Sequence, residues 1–350
     1  MLVLDEPTAV LSPTEAEGLF AVLRRLRSSG LSIVFISHKL REVVALADRV
    51  AVLRAGRKVA DRPLADADAA SLAALMVGRD VTPSIRQPQA AGEPVLVLDR
   101  ARVAGEPGRP GLVEASLVVR AGEIVGIAGV SGNGQAMLAG LVAGTHPLTA
   151  GEARVGAERL GEGARSAVRP GIARIPEDRH REGVVPGFTV AENLALEALQ
   201  SPAVRRFGFL RFPAMRARAV AAIRDFDIRG AAPETPVRLL SGGNMQKVVL
   251  ARVLEGEPRL ILADQPTRGL DIGASGDVHR RLLAARERGA AVLLISEDLD
   301  ELLALSDRLA VMAEGRLSPA EPVETLSRER IGLAMAGHGK AAGAALDKAA

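Results

Sequence analysis

The sequence predicts an α/β fold on a largely parallel core sheet, with an antiparallel β subdomain and a helical subdomain attached. The C-terminal part of a second copy of the same domain precedes it. Three observations carry this. Short apolar runs alternate with helix-length segments over most of the 350 residues. A glycine-rich loop, Gly129–Ala136, follows a buried-strand pattern and opens a helix. Residues 1–57 recur at 260–316 at a constant offset of 259, without a gap and with about a third of positions identical, as copies of one domain type do.

The elements follow in order. Leu2–Leu4 is an apolar strand. Ser12 as N-cap, Pro13 at the first helical position and acidic Glu15 open a helix that ends near Ser29-Gly30. Ser32–Ser37 is a β-branched strand, residues 39–46 a short helix, and residues 66–78 a helix closed by Gly78. Residues 84–93 are Pro-rich and polar and read as a linker. Pro94–Arg102 is a strand with a hairpin-like return through Leu112–Val119. Gly122–Ala128 is a turn feeding a buried strand, and a helix runs over about 134–143. Residues 190–258 read as mostly helical, with strands at 259–264 and 290–296. The predicted organisation is a domain fragment over 1–83, a linker over 84–93 and a complete domain over 94–334, its helical part spanning about 176–258. A Gly/Ala-rich flexible tail closes the chain at 335–350. Because MLVLDEPT opens in mid-strand and residues 94–259 have no counterpart before the first copy, the chain reads as truncated at its N-terminus.

Composition removes several function classes. With no cysteine there is no disulfide scaffold, thiolate zinc site or cysteine nucleophile. No apolar run reaches the roughly 18 residues that span a bilayer, and Met1–Leu4 runs into Asp5-Glu6 without the pattern of a secretory leader. The net charge is +3, but 45 basic and 42 acidic residues are interspersed and no long basic block occurs, so nucleic acid is not the expected partner. Residues 205–218 (RRFGFLRFPAMRAR) interleave Arg with Phe. That mixture suits a stacking platform for nucleic acid, a surface that meets a partner, or a merely solvated loop, and the partner surface is the expectation.

The chemistry-bearing motifs are spaced as phosphate chemistry requires. In Gly129-Val130-Ser131-Gly132-Asn133-Gly134-Gln135-Ala136 the backbone N–H groups and the helix start favour an anion. The full pattern GxxxxGK[ST] would place Lys and a hydroxyl where Gln135 and Ala136 stand. LSGGNMQ (Leu240–Gln246) opens a helix that ends shortly before an apolar strand closing on Asp264 in LILADQPT. LVLDEPT near the N-terminus closes a similar strand on Asp5-Glu6, with His38 one strand away.

These motifs resemble the nucleotide-binding domain of ATP-binding cassette (ABC) transporters, over residues 1–335. LSGGNMQ is similar to the ABC signature, LVLDEPT and LILADQPT to Walker B strands, Ala9–Ser12 and Arg268–Asp271 to D-loops, Ile36–His38 to the switch segment, and Glu177 stands where a Q-loop glutamine is usual. The tandem arrangement, with DEPTAVLSP, FISHKL, MVGRD, IPEDRHREGVV and QPTRGLDIGA, resembles the nucleoside and simple-sugar branch of import ATPases. The resemblance implies ATP and Mg²⁺ as cofactors. It implies Mg²⁺ held through water by Asp5 and Asp264, Glu6 and His38 as catalytic groups, and nucleotide contacts from Gly129, Ser131, Gly132, Asn133, Gly134, Gln135, Ala136, Glu177, Ser241, Gly242, Gly243, Gln246, Asp264, Gln265 and Glu297. In the second copy Gln265 replaces Glu6 and Glu297 replaces His38. A glutamine accepts no proton at neutral pH and a glutamate repels a γ-phosphate, so that copy is expected to bind nucleotide without hydrolysing it. The implied partners are membrane permease subunits, a substrate-binding lipoprotein acting through them and a second cassette in a dimer, at the cytoplasmic face of the cell membrane. Two other readings stay open: a catalytically inactive nucleotide-binding fragment, and a soluble ABC protein acting on nucleic acid.

Overall fold

The computed structural model describes residues 1–8, 13–37, 39–54, 56–78, 85–160, 171–199 and 201–335. His38, Ala9–Ser12 and the tail from residue 336 onward lie outside them. The chain divides into two compact units: Met1–Ser84 with Leu270–Asp277, and Ile85–Gly269 with Val278–Ala350.

In the first unit strands β1 (Leu2–Asp5) and β2 (Ile33–Ile36) pair in parallel, Leu2 opposite Ile33 and Asp5 opposite Ile36. Helix α1 (Pro13–Ser28) connects them, as a right-handed parallel crossover requires a helix-length excursion. Its Phe20 and Leu23, with Leu46 of α2 (Leu40–Leu46), cover Leu2, Leu4, Ile33 and Phe35 on one sheet face. Side chains alternate along a strand, so Val3, Val34 and Ile36 point the other way, and they are 56%, 45% and 49% exposed. Strands β3 (Arg49–Arg54) and β4 (Arg57–Pro63) form an antiparallel hairpin, neither strand of which the sequence reading gave. Helix α3 (Ala69–Val77) follows, with Asp68 and Ser71 in a reciprocal cap and Gly78 ending it at a positive φ.

The second unit holds the full sheet, in the order β10 (Ile172–Ile175), β13 (Leu260–Asp264), β14 (Ala291–Ser296), β7 (Ile124–Ala128), β15 (Arg308–Ala313) and β16 (Arg316–Leu317), with β17 (Glu321–Pro322) on β15. The pairs through β10, β13, β14, β7 and β15 are parallel. Every residue of β7, β13 and β14 is buried, which is why these strands read as unbroken apolar runs instead of alternating ones. An antiparallel sheet in the order β6 (Leu112–Arg120), β5 (Pro94–Val103), β8 (Ala150–Val155) and β9 (Glu158–Arg159) shares one core with the central sheet and helix α4 (Gln135–Val142). The helical part contains α5 (Val190–Ala195), α6 (Phe212–Asp225) and α7 (Gly242–Leu254). It is interrupted by a hairpin of β11 (Arg205–Arg206) and β12 (Phe209–Leu210), where an all-helical stretch was expected.

The repeat continues element by element. Helix α8 (Ile272–Glu287) lies 259 residues beyond α1, and α9 (Leu299–Leu305) the same distance beyond α2. The offset holds for β3 and β15 and for the single turns Leu64–Asp66 and Val323–Thr325. Helix α10 (Arg328–Met335) is the counterpart of α3, which carries the repeat past residue 57. Surroundings differ, however. Leu262, Leu293 and Ile295, counterparts of Val3, Val34 and Ile36, are fully buried. The ion pair Arg27–Asp48 is exposed, while its counterpart Arg286–Asp307 is enclosed and also receives the Ile124 N–H. Residues 85–93, read as a linker, are tied to the second unit: Arg286 donates to the Gln87 carbonyl and the Gly92 N–H to the Ala121 carbonyl.

Candidate functional site

The second unit gathers one polar pocket at the end of β7, β13 and β14. A cavity of about 170 Å³ is lined by Ser131, Gly132, Gly134, Gln135 and Ala136 on one side and Glu177, Asp264, Gln265 and Glu297 on the other. The loop leaves β7 at Ala128 and turns through Gly132 and Gly134, both at positive φ, before α4 begins at Gln135. Gly134 is its N-cap residue at φ 109, a conformation that a side chain would strain. The helix start and the loop N–H groups thus face one side of the pocket.

Gln135 is buried, and its amide Nε2 donates to the Val130 carbonyl at 2.9 Å. A Cβ on Gly129 would collide with that amide and with the Met312 carbonyl. The glutamine therefore folds back into its own loop and carries no charge to a phosphate. Asn133 is turned away: its side-chain oxygen accepts from the Glu314 N–H and its carbonyl from the Gly315 N–H.

Opposite the loop, Asp264 ends β13 and is buried. Burial and the neighbouring Glu177, Glu182 and Glu297 raise its pKa from about 3.8 to about 7, against the opposing pull of Arg174. Gln265 follows at φ 47, its N–H bonded to the Ile295 carbonyl. The Gln265 side-chain oxygen accepts from the Glu297 N–H at 3.3 Å, so the two residues that replace Glu6 and His38 meet each other. Glu177 is ion-paired to Arg268, and Arg179 donates to the Arg268 carbonyl.

The first unit reproduces the strand end. Asp5 closes β1, and Glu6 stands at φ 43 with its N–H on the Ile36 carbonyl at 2.9 Å. A non-glycine residue at positive φ is uncommon, and both copies hold one at this point. Thr8 donates to Glu42 at 2.6 Å as Thr267 donates to Glu301 at 2.9 Å, so the turn after the strand is pinned the same way twice. In the second copy His279 also bonds Glu301.

Besides Gly129 and Asn133, four expected contact residues stand outside the pocket lining. Ser241 caps α7, accepting from the Asn244 N–H and side-chain amide. Gly242 and Gly243 form the first turn of that helix, Gly242 near the Arg179 guanidinium. Gln246 is buried and donates to the Pro266 carbonyl at 2.8 Å, committed to the turn after β13. Sequence reading missed Arg109, which lines the pocket from the turn between β5 and β6. Nothing local marks that residue; only the fold brings it to a loop 20 positions on. Arg109 is the one cationic side chain among the described residues that line the pocket.

A glycine loop between a buried strand and a helix, facing an acidic strand end across a polar pocket, defines a phosphate-binding α/β cassette. The ABC transporter family model matches residues 112–268. The glucose import ATP-binding protein TsgD13 of Haloferax volcanii is 44% identical over 348 residues, covering 97% of this chain and 63% of that protein. The nucleoside import ATP-binding protein NupA of Lactococcus lactis subsp. cremoris is 40% identical over 341 residues, covering 96% and 67%. The chain thus spans a little under two thirds of the first relative's length. The cassette MJ0796, solved as a post-hydrolysis dimer with ADP and Pi, matches with a TM-score of 0.56 at 22% identity, over 65% of this chain and 98% of that one, a likeness of fold. The chain belongs to the ATP-binding proteins of ABC transporters.

Proposed function

We propose that the chain acts in an ABC importer, coupling ATP binding and hydrolysis to uptake of nucleosides or simple sugars. The observation that supports it most is identity of 40–44% along nearly the whole chain to proteins named for nucleoside and glucose import. In this reading the chain lies at the cytoplasmic face of the membrane and is held by permease subunits, with a substrate-binding lipoprotein acting through them and a second cassette completing a dimer. Among the described residues no helix is long and apolar enough to cross a membrane.

The second unit's pocket fits a nucleotide by its backbone and not by the side chains hydrolysis needs. Gly129–Ala136 would cradle phosphate through N–H groups, and Arg109 would supply the charge that Gln135 lacks. Mg²⁺ would rest between the phosphates and Asp264, through water. The buried Asp264 carboxyl suits that role, because a cation beside it favours the charged form that burial opposes. Gln265 offers no carboxylate at the position that would polarise the attacking water, and Glu297 puts a negative group where a donor would stabilise the transferring phosphoryl oxygens. Hydrolysis is assigned instead to Glu6 and His38, with Asp5 holding Mg²⁺. Ser241 to Gly243 are proposed to meet a nucleotide held by an opposing cassette.

The alternative, a nucleotide-binding module without turnover, is favoured by one observation: Gln135 folds into its own loop. Steady phosphate release by the chain reconstituted with its permease, abolished by Glu6→Gln, would separate the two. Absence of release under those conditions, with nucleotide bound, would leave the inactive module as the correct reading.

A further inference from the structure

We propose that the hairpin Arg205–Leu210, with Arg211 and Phe212, is a lipid-binding wedge that inserts into an anionic bilayer surface. This goes beyond a subunit held to the membrane only through its permease. The chain has seven Phe and neither Trp nor Tyr, yet three of its aromatic rings fall within six residues here. Phe207, Phe209 and Phe212 are 86%, 78% and 64% exposed, with Leu210 partly exposed beside them.

The exposure belongs to a built element. Arg205 pairs with Leu210 and Arg206 with Phe209 across the hairpin. Its base is anchored by the buried Val204, packed with Ala195 and Met215, and by the Arg211 N–H on the Val204 carbonyl at 2.9 Å. The tip is a two-residue turn with Phe207 at φ 51 and Gly208 at φ 86, the type I′ pattern. Asn, Asp or Gly suits the first of those positions, and a bulky ring there is a genuine outlier. Backbone comfort has been given up for an exposed ring at the apex.

Charge identifies the occupant. Residues 201–224 contain six Arg and no Asp or Glu, in a chain whose net charge is only +3. Arg216, Arg218 and Arg224 pair with Glu234, Glu255 and Asp225, while Arg206 lies over the Phe207 ring at 5.1 Å. Apolar rings at a tip with guanidinium groups behind them match the bilayer interface, where rings sit among headgroups and cations meet anionic lipid. A protein partner of mixed charge gives no reason to exclude every carboxylate from 24 residues. Strands of two residues are too short to stack successive bases.

The chain's lack of Trp supplies the test. Phe207→Trp makes a single fluorescent reporter at the apex, and Leu239→Trp a control on another exposed position. The full chain is mixed with vesicles of phosphatidylcholine alone, or of phosphatidylcholine with phosphatidylglycerol, and no permease. The expected result is a blue shift, and quenching by brominated acyl chains, for the apex reporter on the anionic vesicles only. Vesicle sedimentation of the chain with native Phe207 should weaken roughly tenfold or more in Arg205→Gln/Arg206→Gln and in Phe209→Ser/Phe212→Ser, with unchanged circular dichroism. No vesicle binding, equal binding to uncharged vesicles, a shift of the control reporter alone, or binding that needs a permease or single-stranded RNA would each overturn the proposal.

Discussion

At the residue scale, two side chains decide what the second unit's pocket can do. Arg109 is its cation, so Arg109→Ala should weaken ATP binding roughly tenfold, read by calorimetry, while circular dichroism stays unchanged. Asp264 is its buried acid. With its folded pKa raised to about 7, the folded state holds the proton more tightly than the unfolded chain. The corresponding stability is full below about pH 4 and erodes as pH rises through about 7. The charged form costs on the order of 4 kcal/mol at pH 8. Asp264→Asn should therefore raise the melting temperature by several degrees at pH 8, in chelator and without nucleotide, and by almost nothing at pH 4. An equal effect at both pH values would contradict the assignment. Sequence showed Asp264 and the substitutions Gln135 and Gln265, because short motifs fix them. It could not show Arg109, whose place depends on the path between two antiparallel strands, nor that Gln246 is spent on the Pro266 carbonyl.

At the scale of elements, the two copies form an internal control. Strand β2 and strand β14 have the same place in the repeat, but Val34 is exposed and Leu293 is buried on both sides. Leu293→Ala should cost about 2–5 kcal/mol in urea unfolding, and Val34→Ala well under 1 kcal/mol. Comparable losses would mean that β2 is covered in solution. Strands β7, β13 and β14 were legible because burial on both faces leaves apolar runs that only turn residues interrupt, whereas the partly buried β10 and β15 were not read. The hairpin at Arg205–Leu210 was not. Its turn is set by Phe207-Gly208, outside the usual Asn-Gly and Asp-Gly signals, and its strands are too short for a period to register. Residues 85–93 looked like a linker from Pro and polarity alone. Their hydrogen bonds to Ala121 and Arg286 put them with the second unit. Limited proteolysis should accordingly give a stable fragment beginning near Ile85, and digestion of both units at one rate would count against it.

At the scale of the whole molecule, one chain carries two strand ends of the same shape with opposite chemistry. Asp5-Glu6 keeps an acid where Asp264-Gln265 has an amide, and both second positions adopt the same left-handed backbone. The glycine loop between a buried strand and a helix, Gly129–Ala136, lies with the amide and lacks both the lysine and the hydroxyl. The central claim is that this loop holds nucleotide without hydrolysing it, so that the chain on its own, apart from a permease, does not turn ATP over. Each missing catalytic donor typically costs about 10²–10³ in rate, so several absent together silence a site. The direct measurement is paired equilibrium binding of ATP and steady-state phosphate release on the purified 350-residue chain with Mg²⁺. The account predicts saturable binding that Arg109→Ala weakens, with phosphate release no faster than for Glu6→Gln. Steady release that Glu6→Gln abolishes, or release that survives Glu6→Gln and falls with Gln265→Ala, would contradict it.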